Sequence, residues 1–204
     1  PNDVIRAAAM MVSVADEFKG NNNFEYDLVD IVRQAIAEKG RLTEKVVEAA
    51  FAAGDKKLYK DASDRFLRLI LLQDELLATR PEFKVGTWIA RARSLGGTPE
   101  EKELYEWNAR VQITTWGNRL AADEGGLRDY AHREWNGILK DFYYMRWKAW
   151  FDYQTQLLDG KKPVAIDFYA IEEPWTKATN VYSSEPEGDC IPTVKRIFVE
   201  IFGK

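Results

Sequence analysis

The stretch FEYDLVDIVRQAIAEKGRLTEKVVEAAF, from Phe24 to Phe51, carries the clearest fold signal of this 204-residue chain. Its apolar residues recur three and four positions apart, which places them on one face of an α-helix. They are Leu28, Ile31, Val32, Ala35, Ile36, Val46, Val47 and Ala50. Gly40 lies inside this pattern at a cost of about 1 kcal/mol relative to alanine, so a bend or interruption is expected there.

Similar apolar stripes predict helices along most of the remaining chain. The sharpest helix boundary is Thr98-Pro99-Glu100-Glu101, where threonine caps, proline takes the first helical position and Glu101 completes a capping box. The predicted helices cover residues 3–18, 24–51, 61–79, 85–92, 98–115, 127–158 and 192–201. A loop is expected over 118–126, and residues 163–189 are less periodic, with Pro174 and Pro186 limiting helix formation.

The absence of other patterns narrows the fold class. No segment shows the sustained alternation of a β-strand, and no repeat of about 34 or 40 residues indicates a helical array. The sequence therefore predicts a single all-α domain over residues 1–204. Its architecture is expected to be an irregular multi-helix bundle of about six to eight helices.

Composition excludes several classes of function. The 29 Lys and Arg residues against 33 Asp and Glu residues give a net charge of −4, which argues against a nucleic-acid binder because such a protein needs a basic face. One cysteine, Cys190, and one histidine, His132, exclude a disulfide framework and His- or Cys-rich metal sites. His132 is expected on the surface or between helices. No apolar run approaches the ~20 residues of a membrane span.

The first residues predict nothing about the cellular compartment. The chain starts at Pro1 and runs directly into an apolar helical pattern, without a basic segment or a cleavage site. We therefore expect a segment of a longer protein, with no secretory signal in the sequence itself.

Motifs for catalysis are missing from the sequence. It has no Gly-x-Ser-x-Gly elbow and no phosphate-binding loop. A glycosidase needs only two carboxylates, but no carboxylate here lies on a motif that would raise its pKa. Glu172-Glu173 is interpreted as a plain acidic pair. Six further acidic residues are expected on solvated helix faces: Asp27, Asp30, Glu48, Asp64, Asp74 and Glu75.

Aromatic residues are the unusual feature, at 13% of the chain. Trp116, which Gly117 follows, and Tyr130 lie on either side of a glycine-rich loop. A large ring at such a chain reversal is free to face a partner surface. Residue type alone, however, favours a core position for Trp116. The second group has eight rings in the nineteen residues from Trp135 to Tyr153, too many for one helical stripe. Core and interdomain packing is the favoured interpretation of this group, with ligand contact as the alternative.

Several motifs, in order, resemble those of one enzyme family. They are FEYDLVDIVRQA at 24–35, LYEWNARVQITTWG at 104–117, DYA at 129–131, the Tyr-x-x-Arg-Trp pattern at 143–147, and Tyr-x-x-x-Pro-x-Gly-Asp at 182–189 followed by Lys-x-Ile-Phe at 195–198. This set resembles the C-terminal domain of the α-N-acetylglucosaminidases, glycoside hydrolase family 89. The family includes the lysosomal enzyme that degrades heparan sulfate. The resemblance covers nearly the whole chain.

The resemblance implies that this chain is part of a larger enzyme. Such an enzyme has a small N-terminal domain, a central (β/α)₈ barrel and this helical C-terminal domain, and it removes terminal α-linked N-acetylglucosamine with retention. The two catalytic glutamates of the family belong to the barrel, so no catalytic residue is predicted in this chain, and neither a cofactor nor a metal is implied. The expected partners are the catalytic barrel of the same polypeptide and the terminal sugar of a glycan.

The resemblance also assigns residues to the sugar pocket. The helical domain is expected to pack on the barrel and complete the pocket, with Trp116, Tyr130 and Leu127 binding substrate. Residues 118–126 depart from the family pattern. Secretion, the periplasm or a lysosome-like compartment is the implied location.

Two other functions remain open at this point. One is a free-standing helical protein-interaction module that uses its aromatic-rich face, and the other is an independent enzyme with an unrecognised site. A barrel-encoding region upstream in the parent reading frame favours the glycosidase interpretation. Activity of the chain alone on an aryl α-N-acetylglucosaminide favours the independent enzyme.

Overall fold

A computed structural model describes residues 2–124, 126 and 128–203 of the chain. Within those residues there are nine α-helices, eight of them seven residues or longer, and no β-strand, which confirms the all-α prediction. The helices are α1 (Asn2–Ser13), α2 (Asn22–Ala53), α3 (Lys56–Leu77), α4 (Val85–Ser94), α5 (Pro99–Gln112), α6 (Arg119–Glu124), α7 (Tyr144–Leu158), α8 (Phe168–Lys177) and α9 (Cys190–Phe202). None of the helices in this described part is both long and apolar enough to cross a membrane.

The long helical hairpin of α2 and α3 organises the bundle. The Asn21 side chain caps α2 by accepting the N–H of Phe24 at 3.1 Å. Gly54, in the left-handed conformation with φ +68°, ends α2, and the Asp55 side chain caps α3 by accepting the N–H of Leu58 at 2.9 Å. The helix α2 continues through Gly40, so the predicted interruption does not occur.

The main core lies where α1, α2, α3 and α9 meet. Its central side chains are at most 1% exposed, and burying each contributes roughly 1.5–3 kcal/mol. They include Leu28, Val32, Ile36, Leu76, Leu77, Val194 and Ile197. Two smaller apolar clusters extend this core, one centred on Phe66 and Phe151, the other on Phe142 and Trp175.

The predicted helix over 127–158 was wrong in its first part. Helical structure begins only with a π-helical turn at Leu139–Tyr143, which leads into α7. Before it, Asp129 (φ +57°), His132 (φ +45°) and Gly137 (φ +92°) adopt left-handed conformations that no α-helix contains. At Gly137 a Cβ atom would lie 2.7 Å from the ring of Tyr182, so only glycine fits there.

Two helices form where the sequence predicted none, one in the less periodic segment 163–189 and one in the predicted loop 118–126. The helix α8 runs across Pro174, which removes one helical hydrogen bond, but it buries Tyr169 and Trp175 and this packing outweighs the loss. The short helix α6 lies within the predicted 118–126 loop. It is tied to α8 because Arg119 donates two hydrogen bonds of 2.9 Å to the carboxylate of Asp167.

Candidate functional site

The fold brings together Trp116 and Tyr130, two aromatic residues within the connection between α5 and α7. The ring centroids of Trp116 and Tyr130 lie 5.8 Å apart, with their planes inclined at 59°. Trp116 is 41% exposed and Tyr130 is 69% exposed, so neither belongs to the core, and Tyr130 does not lie on a helix as the prediction for 127–158 implied. Such a surface can stack on the apolar face of a ligand and offer it a phenolic hydroxyl.

The backbone around Trp116 is held from both sides. Its N–H donates to the carbonyl of Val111 at 2.8 Å and so closes the end of α5. Its φ of +63° is rare for a bulky residue. The following carbonyl, of Gly117, accepts a 3.5 Å hydrogen bond from the hydroxyl of Tyr169 in α8. Trp116 is thus an exposed ring on an ordered and unusual backbone.

Tyr130 is positioned through its neighbour Asp129. The Asp129 N–H donates to the carbonyl of Thr114 at 2.7 Å, and its carboxylate accepts hydrogen bonds from the Tyr143 hydroxyl and, at 2.8 Å, from Arg146. Burial and the adjacent Asp129 charge raise the pKa of Tyr143. The Tyr143 hydroxyl therefore keeps its proton and acts as a donor.

The other residues that the sequence singled out lie around this pair or outside the described part. Leu127, the third predicted substrate-binding residue, lies outside the described residues. His132 is exposed, as expected, and lines a cleft of about 310 Å³ between α2, α3 and α7. Among the described residues, no three His, Cys, Asp or Glu side chains are grouped to hold a metal ion.

Asp74 is a buried carboxylate that the sequence analysis placed in solvent, and that prediction was wrong. It is 6% exposed and accepts backbone hydrogen bonds from Gly137 at 2.7 Å and Lys140 at 3.1 Å. Burial raises the pKa of Asp74, although these hydrogen bonds oppose the shift. A signal was present, because Asp74 follows Ile70 by four positions and precedes Leu77 by three on the apolar side of α3.

Glu172 is the second buried carboxylate, fully enclosed rather than part of a plain acidic pair. Its two oxygens lie 3.1 Å from Nε of Arg146 and 3.3 Å from Nε of Arg128, outside hydrogen-bonding geometry. The pKa of Glu172 is raised, chiefly by burial, although the nearby Arg146 and Arg128 oppose the shift. Glu172 follows Phe168 by four positions and precedes Trp175 by three, which is helical spacing. Pro174 argues against a helix in this segment, so none was predicted there.

Comparison with known proteins decides the family. The family model described as "Alpha-N-acetylglucosaminidase (NAGLU) C-terminal domain" matches residues 1–200. The chain belongs to this family. A curated relative, human α-N-acetylglucosaminidase, is 26% identical over 207 residues, an alignment that covers 98% of this chain and 27% of the human protein.

Solved structures of a family 89 glycoside hydrolase from Clostridium perfringens share the fold. The complex with 2-acetamido-1,2-dideoxynojirmycin is 36% identical, with a TM-score of 0.91, and the match covers 97% of this chain and 23% of that enzyme. A form with two glutamate-to-glutamine changes, in complex with its substrate GlcNAc-α-1,4-galactose, matches with a TM-score of 0.90 and 36% identity over 96% of this chain and 23% of that one. The C-terminal domain chain thus spans about a quarter of the length of these relatives.

Proposed function

We propose that this chain is the C-terminal helical domain of a retaining exo-α-N-acetylglucosaminidase, and that its Trp116–Tyr130 face completes the sugar pocket on the catalytic barrel. The observation that carries the proposal is the exposure of two large rings held 5.8 Å apart on an ordered backbone. Similarity to enzymes solved with a sugar-like inhibitor and with a GlcNAc-terminated substrate supports it.

The chemistry of the face suits a single terminal sugar. The indole of Trp116 offers an apolar surface for the C–H face of a pyranose ring, and the Tyr130 hydroxyl can exchange a hydrogen bond with a sugar hydroxyl. An exo-acting enzyme needs a concave pocket around one residue. We assign Trp116, Tyr130 and Leu127 to one wall of that pocket and the barrel to the remainder.

The hydrolytic chemistry belongs, in this proposal, to the barrel. A retaining glycosidase needs two carboxyl groups about 5–5.5 Å apart that both reach the sugar. Among the described residues, the carboxylates of raised pKa are Asp74 and Glu172, which are enclosed by protein at 6% and 0% exposure. The isolated chain is therefore expected to be inactive. Its parent is expected in a secreted, periplasmic or lysosome-like compartment.

The experiment is a kinetic comparison of two tryptophan variants of the full-length enzyme on an aryl α-N-acetylglucosaminide. Trp116→Ala is expected to lower kcat/KM about 100-fold, because the substrate loses its stacking surface and its alignment. Trp107→Ala is the matched control, since Trp107 is 44% exposed, close to the 41% of Trp116, but lies on α5 away from the pair. Equal and small effects of the two changes would reject the proposal.

Assay of the isolated 204-residue chain tests the second half of the proposal. No turnover of the aryl glycoside above the uncatalysed rate is expected, because the carboxylate pair lies outside this chain. Turnover by the purified chain would show instead that it is an enzyme in its own right.

A further inference from the structure

We propose that Asp129 is a positioning residue for the Trp116–Tyr130 pair, an inference that rests on the proposed function of that pair. Asp129 directly precedes Tyr130. Its N–H donates a 2.7 Å hydrogen bond to the carbonyl of Thr114, two residues before Trp116. This bond joins the two chain segments that carry the rings, so Asp129 helps to set their spacing and inclination.

The side chain of Asp129 anchors the same turn to a helix. Its Oδ1 accepts from the hydroxyl of Tyr143, and its Oδ2 accepts from Nη1 of Arg146 at 2.8 Å. Only 13% of the Asp129 side chain is exposed, so water competes little for these charge-assisted bonds. Tyr143 and Arg146 lie on the π-helical turn and the first turn of α7, which gives the site a rigid support.

The backbone conformations explain why such an anchor is needed. Trp116 and Asp129 both have left-handed φ values, +63° and +57°. That conformation costs roughly 1–2 kcal/mol for a residue with a side chain and persists only where the surroundings enforce it. Glycine would adopt the turn freely but would offer no carboxylate, whereas aspartate tolerates the conformation and supplies the anchor.

Arg146 fixes the anchor in turn. Its Nε lies 3.1 Å from the fully buried carboxylate of Glu172, and its guanidinium is 5.6 Å from the ring centroid of Phe142. The guanidinium is thereby held between the carboxylates of Asp129 and Glu172. Asparagine at position 129 would keep the size and the left-handed turn but would remove the negative charge that faces Arg146.

The test is a double-mutant cycle in the full-length enzyme on an aryl α-N-acetylglucosaminide, with kcat and KM measured separately. Asp129→Asn is expected to lower kcat/KM about 10- to 100-fold in the otherwise unchanged enzyme, because misplaced groups lose alignment with the substrate. In the Trp116→Ala background the same change is expected to cost several-fold less, since only Tyr130 is left for Asp129 to position. A purely structural role would give the same factor in both backgrounds.

Glu25→Gln is the matched control, because the Glu25 side chain is a part-buried carboxylate, 20% exposed, that accepts a 2.8 Å hydrogen bond from the N–H of Gly20 and faces Arg80, but lies on α2. It is expected to lower the thermal midpoint and to leave kcat/KM within about 2-fold below that temperature. If Asp129→Asn does not fold, Tyr143→Phe decides the matter, since it removes one donor and keeps the ring. About a 3-fold loss is expected, and a smaller one in the Trp116→Ala background, where only Tyr130 is left to position.

The outcomes separate the two proposals. Two results would overturn the positioning role and leave the proposed function standing. One is full activity of the folded Asp129→Asn enzyme or, if that variant does not fold, of the Tyr143→Phe enzyme. The other is an equal loss of kcat/KM in both backgrounds. Unchanged kcat/KM in Trp116→Ala would overturn the proposed function and this inference with it.

Discussion

The helical core and the connection between α5 and α7 differ in which side chains they bury and in the backbone conformations they adopt. In the core, apolar side chains such as Leu76 and Ile197 are fully buried on regular helices. In the connection, the rings of Trp116 and Tyr130 are exposed. The connection also contains all three described non-glycine residues with positive φ, namely Trp116, Asp129 and His132. Departures from local preference that the surroundings enforce are typical of functional sites. The proposed function accordingly divides the two roles, with stability in the bundle and binding in the connection.

The largest expected effect is on the free energy of unfolding, and it distinguishes Trp175 in the core from Trp116 in the connection. Trp175 is 7% exposed, and its indole N–H donates to the Tyr182 hydroxyl at 2.9 Å, so Trp175→Ala should lower the free energy of unfolding by about 3–5 kcal/mol. Trp116→Ala should change it by less than about 1 kcal/mol, because the ring is exposed. Chemical denaturation of the purified chain measures both values. Similar losses of unfolding free energy for the two variants would contradict this distinction between the core and the connection.

A smaller effect is expected when only the hydroxyl of Tyr130 is removed. Tyr130→Phe keeps the ring, which is 69% exposed, so the free energy of unfolding should stay within about 0.5 kcal/mol. The kcat/KM of the full-length enzyme should fall about 3- to 10-fold, the usual value of one hydrogen bond to an uncharged group. Unchanged kinetics would restrict the role of Tyr130 to its ring.

The smallest expected effect is the contribution of Glu172 to the pH dependence of stability. Burial raises the pKa of its carboxyl above the ordinary value of 4.5. Its contribution to stability is therefore fully present below that value and is lost as pH rises through the raised pKa. Glutamine mimics the neutral form, so the thermal midpoint of Glu172→Gln relative to the natural chain should rise between pH 4 and pH 7, on the order of 2–4 °C.

Thermal scans of both proteins across that pH range check the sign. A midpoint difference that moves the other way would mean that Arg128 and Arg146 stabilise the ionised carboxylate by more than burial costs it. The connection would then be held by favourable ion pairs at neutral pH.

Much of the bundle could be predicted from the sequence because the relevant signals are local. The stripe from Leu28 to Ala50 predicted α2, and the capping box at Thr98 predicted the start of α5, where both reciprocal hydrogen bonds form. Failures occurred where tertiary contacts override local preference. Pro174 argued against a helix where α8 forms. The left-handed turn at Asp129 takes the place of the first turns of the helix predicted over 127–158.

The candidate site was less accessible to sequence reasoning. Residue type favoured a core position for Trp116, and periodicity placed Tyr130 on a helix. The sequence grouped the two around a glycine-rich loop, but only the family resemblance assigned them to the substrate, and the fold places them side by side. The buried charges of Asp74 and Glu172 escaped notice because a carboxylate on an amphipathic helix is usually solvated. Their backbone and arginine partners lie more than 25 residues away in sequence, beyond any local pattern.

The most direct test of the account is a crystal structure of the full-length enzyme with 2-acetamido-1,2-dideoxynojirmycin, the inhibitor seen in the bacterial relative. The account predicts that carbon atoms of the Trp116 ring lie within about 4.5 Å of the inhibitor ring. It also predicts a hydrogen bond between the Tyr130 hydroxyl and the inhibitor, with the carboxylate pair supplied by the barrel. An inhibitor that contacts neither Trp116 nor Tyr130 would contradict it.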